Sequence, residues 1–486
     1  MAAPTPAAGS LPNLVYVYDP LSFAPLSITQ EAEGICRFVW VVDLSNPDAA
    51  SMARLLRKFG PVIDSSDGDV GRVAAEAQQH NAAGVLSMHD ADLCWTAELA
   101  EVLGLPFHSP ETALKLTDKH AQRAALAAAG LAVPMVRVLP ADADAATVAD
   151  LGATFTYPAV LKPRFGQESR NTIPVASSAE LSAMLQELRG QPDWLAEDYV
   201  LEGFVPDATT EVGGPGFAGF VSVESVVENG RIEHAGISSR TPFRWPFRET
   251  GYCTPTALSP DLQAEVLRLA GEAARALGVT VGCLHTEIKL TDDGPVVIEV
   301  NGRPGGGMSE MLERASGFSI LRTALRLAVG DPVGLPGPVP CSRIGYLLYV
   351  FPQSDVEWID SVEGLPELRK IDGVDEIVLV RGPGQRIDWR EGSEAHVFHL
   401  TGTVKDFDEF QRLIDATVSL VRIEGHNEDV SQTAHPAPVP GVGRFPDRPG
   451  SPGWSFRGSQ LAASGSASLQ AGLVVVGVNA QSTPTC

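Results

Sequence analysis

The first hundred residues alternate short apolar runs with longer amphipathic segments. Four runs (LVYVY, RFVWVVDL, PVIDS and AGVLSM) have the length and composition of buried strands. Between them, segments such as AASMARLLRKF and VGRVAAEAQQH have the spacing of amphipathic helices. Strands that alternate with helices are typical of a parallel sheet covered by helices. The pattern therefore predicts an N-terminal parallel α/β domain over residues 13–110.

Further along the chain the pattern mixes helices with paired strands. A helix is predicted over 117–130, with Thr117 as its N-cap and Gly130 as its stop. The dipeptide Asn229–Gly230 separates two alternating runs and predicts a tight hairpin turn. Residues 310–329 predict one helix, and residues 341–425 predict a compact strand-rich unit that ends in a helix near 405–420.

The segment from His285 to Arg303 predicts a β-hairpin with two chemically different faces. Both flanks alternate apolar and polar residues around an expected three-residue loop, Asp292-Asp293-Gly294. That register pairs Val297 with Lys289, Glu299 with Glu287, and Asn301 with His285. One face then carries Leu284, Thr286, Ile288, Leu290, Val296, Ile298 and Val300, and the other carries His285, Glu287, Lys289, Glu299 and Asn301.

The polar face of this hairpin is unusual because it opposes two carboxylates across the strands. Glu287 and Glu299 repel each other in that position, and a divalent cation with oxygen ligands is a common way to offset the repulsion. Asn301 adds a neutral oxygen, Arg303 adds a cation, and the glycine run 305–307 follows at once. These features predict a metal–phosphate site; a solvated hairpin face with a tolerated acidic pair is the alternative.

Composition narrows the class of protein. The 486 residues are enough for about three domains. With 36 basic and 60 acidic residues and a net charge of −24, the chain shows no basic stripe, which argues against nucleic-acid partners and anionic membranes. The six cysteines are scattered, as in reduced cytosolic proteins. Without a signal peptide or membrane-length apolar run, a cytoplasmic location is expected.

Two further segments carry candidate chemistry. Lys162 ends a strand before the loop Phe165–Arg170, whose backbone amides and Ser169 hydroxyl could fold over phosphates; an ordinary exposed turn is the alternative. Glu197 and the backbone of Val200 lie on an apolar strand whose edge could pair with adenine; an edge strand with solvated acids is the alternative.

The order of these features resembles the ATP-grasp superfamily of carboxylate–amine ligases over roughly residues 13–425. The family pattern of Glu, then Glu-x-Asn-x-Arg, is matched by Glu287, Glu299, Asn301 and Arg303. The resemblance implies that the first three hold two Mg²⁺ ions, or Mn²⁺ in their place, on the phosphates of ATP. It also implies that Arg303 steadies the transferring group.

The resemblance assigns the upstream residues as well. Lys119 and Lys162 look like the two phosphate-contacting lysines of the family, and Lys162 joins Arg303 as a catalytic candidate. The other implied ATP-binding positions are Ser169, Glu197 and Val200. The phosphate loop carries only Gly166, with Gln167-Glu168 where the family commonly has smaller residues.

Within the superfamily, three features resemble the L-amino acid ligases that form dipeptides. They are HTEIKL, the segment 246–252 and the strand-rich unit after residue 341. The resemblance implies a ligase that joins a small-molecule carboxylate to an amine through an acyl-phosphate, releasing ADP and phosphate. A carboxylase, a ligase for other substrates, a catalytically silent nucleotide-binding protein, and an interaction protein that works through its tail are the alternatives.

The substrate side of the site has four candidate residues. His234 and His285 are candidates for orienting the substrate or managing the amine's proton, and Arg248 for binding a substrate carboxylate, with Arg240 and Arg244 as alternatives. Glu249 lies beside them in the segment that resembles the dipeptide-forming ligases. A homodimer and a monomer both stay open.

The resemblance also divides the chain into domains. The fold class expected is α/β and α+β: an N-terminal parallel domain, a split nucleotide-binding core and a C-terminal strand-rich subdomain. The predicted ranges are a flexible N-terminus at 1–12, the α/β domain at 13–110, the ATP-grasp domain at 111–335 with a lid at about 135–204, the C-terminal subdomain at 336–428, and a disordered Pro/Gly/Ser-rich tail at 429–486.

Overall fold

The computed structural model describes residues 11–190, 197–334, 337–352 and 356–427. The predicted tail at 429–486 and most of the predicted flexible N-terminus at 1–12 lie outside these ranges. Among the described residues, no helix combines the length and the apolar character needed to cross a bilayer. The fold joins a parallel sheet to antiparallel sheets, as expected for the ATP-grasp architecture.

The N-terminal part is a four-stranded parallel sheet with helices on both sides, as predicted. The strand order is β3-β2-β1-β4, so β1 and β4 are neighbours and their carboxyl ends meet at one edge. Apolar side chains on the two faces of the sheet belong to two separate buried clusters. The elements are β1 (Asn13–Tyr18), α1 (Pro25–Glu31), β2 (Arg37–Val42), α2 (Pro47–Leu56), β3 (Val62–Asp64), α3 (Val70–Gln79), β4 (Ala82–Ser87) and α4 (Leu93–Leu103).

Two consecutive helices follow, where the sequence predicted one. They are α5 (Pro110–Thr117) and α6 (Lys119–Ala128). The predicted N-cap at Thr117 is wrong: its hydroxyl donates back to Ala113 within α5 at 3.0 Å. Asp118 caps α6 instead, because its carboxylate accepts from the amides of His120 and Ala121 at 2.9 and 3.3 Å. Lys119 is therefore the first residue of a helix and is held in place by the cap.

A small antiparallel sheet with the order β5-β8-β6-β7 comes next. Its elements are β5 (Val136–Leu139), α7 (Ala145–Thr154), β6 (Ala159–Pro163), β7 (Ile173–Val175), α8 (Ser178–Arg189) and β8 (Tyr199–Gly203). The strand–loop–strand pattern predicted around Gly166 is confirmed as β6 and β7. Strand β8 has neighbours on both sides, so the prediction of an edge strand at Val200 is wrong; Val200 is opposite Val138 and Lys162.

The rest of the chain builds an eight-stranded antiparallel sheet, β13-β12-β9-β10-β11-β14-β17-β16, and a two-stranded sheet, β15-β18. The Asn229–Gly230 turn is confirmed, with positive φ at both residues. The single helix predicted over 310–329 is wrong, because Gly317 ends one helix at φ 78° and a second begins at Ile320. The elements are β9 (Phe220–Glu228), β10 (Arg231–Arg240), β11 (Gly251–Thr254), α9 (Pro260–Leu277), β12 (Gly282–Thr291), β13 (Gly294–Asn301), α10 (Gly306–Ser316), α11 (Ile320–Ala328), β14 (Ile344–Val350), β15 (Trp358–Glu363), α12 (Leu365–Leu368), β16 (Val374–Leu379), β17 (Phe398–Val404), α13 (Phe407–Leu420) and β18 (Arg422–His426).

The hairpin of β12 and β13 keeps the predicted acid pair but reaches it through a different register. Its turn contains two residues rather than three, since Thr291 pairs with Gly294. Lys289 therefore pairs with Val296, and its predicted pairing with Val297 is wrong.

A β-bulge at Ile298 absorbs the one-residue difference. Ile288 pairs with Val297 and Glu287 pairs with Glu299, which leaves Ile298 as the extra residue. The bulge exchanges two side chains relative to the prediction: Val297 is fully buried in the core, while Ile298 lines the cavity described next.

Candidate active site

A cavity of about 990 Å³ lies where the hairpin, the small sheet and the carboxyl-end loops of the parallel sheet meet. Side chains from the C-terminal strands β14 and β17 complete its wall. Nine of the residues predicted from the sequence line it: Lys119, Lys162, Ser169, Glu249, His285, Glu287, Glu299, Asn301 and Arg303. The cavity thus gathers cations, carboxylates and an amide that are spread over 185 positions of sequence from 119 to 303.

The two opposed carboxylates of the hairpin face different partners. The Glu299 carboxylate lies 3.2 Å from the ammonium of Lys119. The Glu287 carboxylate lies 3.6 Å from Nε2 of His285 and 4.0 Å from the guanidinium of Arg240. Each acid therefore has its own neutralising group, and the repulsion expected across the strands is offset within the chain.

Behind Glu287, a buried Glu224 on β9 holds His285 through its Nδ1 atom. Burial acts to lower the pKa of His285, but the charge and hydrogen bond of Glu224 outweigh it and raise the pKa to about 9. Burial acts to raise the pKa of Glu287, but the hydrogen bond and charge of His285, with Arg240, lower it to about 2. Near neutral pH the Glu287 carboxylate is therefore ionised and available as a ligand.

Lys162 sits in a buried ionic group that the sequence analysis missed. Its ammonium lies 2.6 Å from Glu202, which also lies 3.2 Å from Nε of Arg123. Burial lowers the pKa of Lys162. Burial acts to raise the pKa of Glu202, but the charges of Arg123 and Lys162 outweigh it and lower the pKa of that carboxyl. A signal was present for Arg123, which follows Lys119 by four residues and so shares its helix face.

The loop after β6 is tied to the core of the site. The Lys119 ammonium donates to the carbonyl of Gly166 at 2.6 Å. Arg164 pairs with Asp118 at 2.7 Å and with Asp198 at 3.0 Å. The N-cap that places Lys119 therefore also anchors the beginning of the loop.

The far side of the same loop is held by residues 390–393 of the C-terminal unit. The amide of Ser393 donates to the carbonyl of Glu168 at 3.1 Å, and the amide of Asn171 donates to the carbonyl of Arg390 at 3.0 Å. A Cβ at position 392 would lie 2.1 Å from the carbonyl oxygen of Glu168, so only glycine permits this approach. Burial and the charge of Glu394 raise the pKa of the Glu168 carboxyl to about 7.

Arg303 lies between the hairpin and the N-terminal sheet. Its Nε and Nη2 atoms donate to Asp90 at 2.9 and 2.5 Å, and Nη2 is 3.4 Å from Oε1 of Gln167. Burial acts to lower its pKa, but Asp90 outweighs this and raises it. Gln167, an atypical residue of the loop, thus bridges Arg303 to His89, whose Nε2 is 2.9 Å from the Gln167 amide nitrogen.

Four predicted residues do not line the cavity. His234 is hydrogen-bonded to Ser225 at 2.9 Å and faces α9, and its role as a substrate residue stays a prediction. Arg248 forms a strand bridge with Arg244, and its contact with a substrate carboxylate stays a prediction; Arg240 lines the cavity, 2.7 Å from Glu249. Glu197 and Val200 are outside the lining, and their contact with adenine stays a prediction.

Comparison with known proteins identifies an ATP-grasp domain in the chain. Residues 155–311 match the family model described as ATP-grasp domain. A Sinorhizobium fredii protein described as uncharacterized protein y4rH is 27% identical over 330 residues, 67% of this chain and 65% of that protein. A D-alanine–D-alanine ligase of Cupriavidus metallidurans is 30% identical over 233 residues, 46% of this chain and 66% of that enzyme.

The chain spans less than two thirds of the length of the first curated relatives it matches. The share is 65% for the rhizobial protein and 13–15% for carnosine synthases of mouse, chicken and human.

Solved structures show the same fold. The L-amino acid ligase of Bacillus licheniformis superposes with a TM-score of 0.66 at 19% identity, covering 86% of this chain and 99% of that one. The biotin carboxylase domain of a Hydrogenobacter thermophilus 2-oxoglutarate carboxylase, solved with MgADP and bicarbonate, gives a TM-score of 0.58 at 15% identity, covering 85% and 90%.

Proposed function

The chain contains an ATP-grasp domain, and from that premise we propose that it is a carboxylate–amine ligase. In this proposal it forms an amide bond between amino acids or similar substrates and releases ADP and phosphate. The observation that carries the proposal is the convergence of Lys119, Lys162, Arg303 and the acid pair on one cavity. We place the enzyme in the cytoplasm, in line with its scattered cysteines.

The donor set of the hairpin fits Mg²⁺ or Mn²⁺. Glu287, Glu299 and Asn301 offer two carboxylates and an amide oxygen from one face, and hard divalent cations prefer such oxygen ligands. When bound, the ions would screen the charge of the triphosphate.

In this proposal, side chains of the protein contact the phosphates and the transferring group directly. Lys119 and Lys162 are placed to contact the phosphates, and Arg303 to stabilise the negative charge of the transferring phosphoryl group. The loop, clamped through Gly166 and Glu168, keeps water away from an intermediate that hydrolyses readily.

The proposed reaction has two steps. A carboxylate oxygen attacks the γ-phosphorus of ATP, the bond to ADP breaks, and an acyl-phosphate forms. The amine nitrogen then attacks the acyl carbon, phosphate leaves, and the nitrogen gives up its proton. Glu249 and His285 line this part of the cavity and are proposed to position the substrates.

The test is turnover by the full chain with ATP, Mg²⁺ and pooled amino acids, followed by phosphate release and product mass. Phosphate in equal amount to a product that has lost one water supports ligation. Phosphate release without any condensed product contradicts it.

Carboxylation is the second candidate, favoured by the structural likeness to a biotin carboxylase domain solved with bicarbonate. It predicts ATP hydrolysis that depends on bicarbonate and not on amino acids. ATP binding without turnover, with either amino acids or bicarbonate, would indicate a catalytically silent nucleotide-binding protein.

A further inference from the structure

Beside the phosphate loop, the carboxyl ends of β1 and β4 bring two carboxylates and an imidazole together. Asp19 follows β1, His89 precedes the 3₁₀ turn Asp90–Asp92 after β4, and Asp92 is the last residue of that turn. Side chains three residues apart align on such a turn, so His89 and Asp92 project to the same side. One donor atom from each of the three residues lies within 4.8 Å of the other two.

The spacing inside this cluster does not fit hydrogen bonds. His89 Nδ1 is 3.6 Å from Oδ2 of Asp19 and 3.7 Å from Oδ2 of Asp92. His426 and Asp360 show what an ordinary pair looks like, with Nδ1 and Oδ1 2.8 Å apart. Two ligands about 2.1 Å from one metal ion are about 3.4 Å apart at a tetrahedral angle, close to the spacing observed.

The facing atoms of His89 and Asp92 are in ion-pair range but form no hydrogen bond among the described residues. The His89 side chain is 8% exposed, and among the described residues neither its Nδ1 nor Oδ2 of Asp92 has a hydrogen-bond partner. Buried polar atoms are rarely left in this state unless something else satisfies them. The other oxygen of Asp19 accepts from the amide of Leu21 at 2.7 Å, which fixes the carboxylate with Oδ2 turned to the cluster.

We propose that Asp19, His89 and Asp92 bind a divalent transition-metal cation, at a site separate from the hairpin set of Glu287, Glu299 and Asn301. An imidazole nitrogen with two carboxylates favours a cation such as Zn²⁺ over Mg²⁺. The proposal does not depend on the proposed ligase activity, because it concerns a different donor set.

Gln167 connects the proposed metal site to the loop, because its side chain contacts His89. Metal binding at Nδ1 leaves the proton of His89 on Nε2, where the Gln167 side chain lies 2.9 Å away. The Gln167 amide then turns its oxygen to His89, and its contact with Arg303 changes accordingly. Asp90, on the same 3₁₀ turn, holds Arg303 directly. A cation here braces the turn that positions Arg303.

The experiment measures binding of Co²⁺, the spectroscopic substitute for Zn²⁺, to the full chain without ATP. Glu287→Gln/Glu299→Gln serves as the background, so that the hairpin set is removed. In that background we expect one Co²⁺ per chain with visible absorption bands of a nitrogen-containing site. His89→Ala should weaken binding by about 100-fold, and Asp19→Asn by about 10-fold or more.

His426→Ala is the matched control, because it removes a histidine from an exposed His–Asp pair and should leave Co²⁺ binding unchanged. Circular dichroism and metal-free thermal midpoints check that the variants fold. Asp19→Asn is the mildest change, since it keeps the shape of a partly exposed side chain. Absence of bound Co²⁺ in the background protein, or equal binding by His89→Ala and Asp19→Asn, would overturn the proposal.

Discussion

The hairpin of β12 and β13 and the predicted phosphate loop at 165–170 face the same cavity, but the chain specifies them in different ways. On the hairpin, the polar side chains are positioned by strand alternation and by a turn within the same short segment. On the loop, the conformation depends on contacts from distant segments: Lys119 on one side and residues 390–393 on the other. The atypical residues Gln167 and Glu168 are explained by their contacts with distant residues: Gln167 with His89 and Arg303, and Glu168 with Ser393.

The comparison indicates where substitutions act. A change in the hairpin should remove a charge or ligand and leave the architecture intact, because the strands are paired on both sides of β12. A change at the loop should alter how well the cavity closes, because the loop is held from outside by Lys119 and by residues 390–393. We therefore expect changes in the hairpin to affect turnover most and changes in the loop to affect nucleotide affinity most.

The largest effect is expected at the acid pair. Glu299→Gln should reduce ATP turnover by about 10²–10³-fold, because it removes a proposed metal ligand and leaves Lys119 without its carboxylate. Turnover is measured as phosphate release under saturating ATP and Mg²⁺. Glu233→Gln, on the same sheet and paired with Arg231, is the matched control and should keep full activity. Wild-type turnover in Glu299→Gln would show that the hairpin is not a ligand set.

Arg303 tests whether charge alone is enough at the end of the hairpin. Arg303→Lys keeps a cation but loses the two-point contact with Asp90, so kcat should fall by about 100-fold with ATP affinity nearly unchanged. Arg314→Lys, which breaks a comparable two-point contact with Glu310 at a partly exposed position, should leave both quantities unchanged. Equal losses of kcat and affinity in Arg303→Lys would assign Arg303 a structural role.

The same contrast explains how far the sequence alone could lead. The acid pair was predictable because strand alternation and a turn signal both belong to one 19-residue segment. The bulge at Ile298 was not, since one extra residue leaves no periodic signature, and a shorter turn plus a bulge restores the same pairing at Glu287. A carboxylate within an apolar strand, as at Glu224, was the available signal that went unused.

The conformation of the loop, in contrast, could not be predicted from the sequence. Its contact with Ser393 joins residues more than 220 positions apart, and the reason for a glycine at position 392 becomes visible only when the two segments meet. Likewise, His234 has the chemistry of a substrate residue, but a β-bulge at Ala235 interrupts the alternation of β10, so His234 faces α9 while Arg240 lines the cavity. The sequence pattern indicated which charged residues were candidates for a site. The packing of distant segments determined which of them share a cavity.

Gly392→Ala tests the distant clamp. The added Cβ would lie 2.1 Å from the Glu168 carbonyl oxygen and 2.8 Å from the Ser169 carbonyl carbon, so the loop must shift. We expect the KM for ATP to rise about tenfold, with a smaller change in kcat. Gly384→Ala is the control: it has a positive φ of 81°, but its Cβ meets nothing within 4 Å. If both variants behave alike, backbone strain and not the clamp is responsible.

The smallest effect is expected from pH, through Glu168 in the clamped loop. The carboxyl has a pKa of about 7 there, against the usual 4.5, because burial and Glu394 disfavour its charge. Closure of the loop therefore favours the protonated form. ATP affinity should weaken as pH rises from 4.5 to about 7 and become insensitive to this group above that range.

Titration of ATP binding across this range, by calorimetry, compares the wild type with Glu168→Gln, which stays neutral and should lose this part of the pH dependence. Glu180→Gln, on the neighbouring helix α8, should retain the wild-type profile. An unchanged profile in Glu168→Gln would mean that loop closure does not sense this proton. The loop would then resemble the hairpin in depending only on its fixed charges, and the distinction drawn between the two regions would be lost.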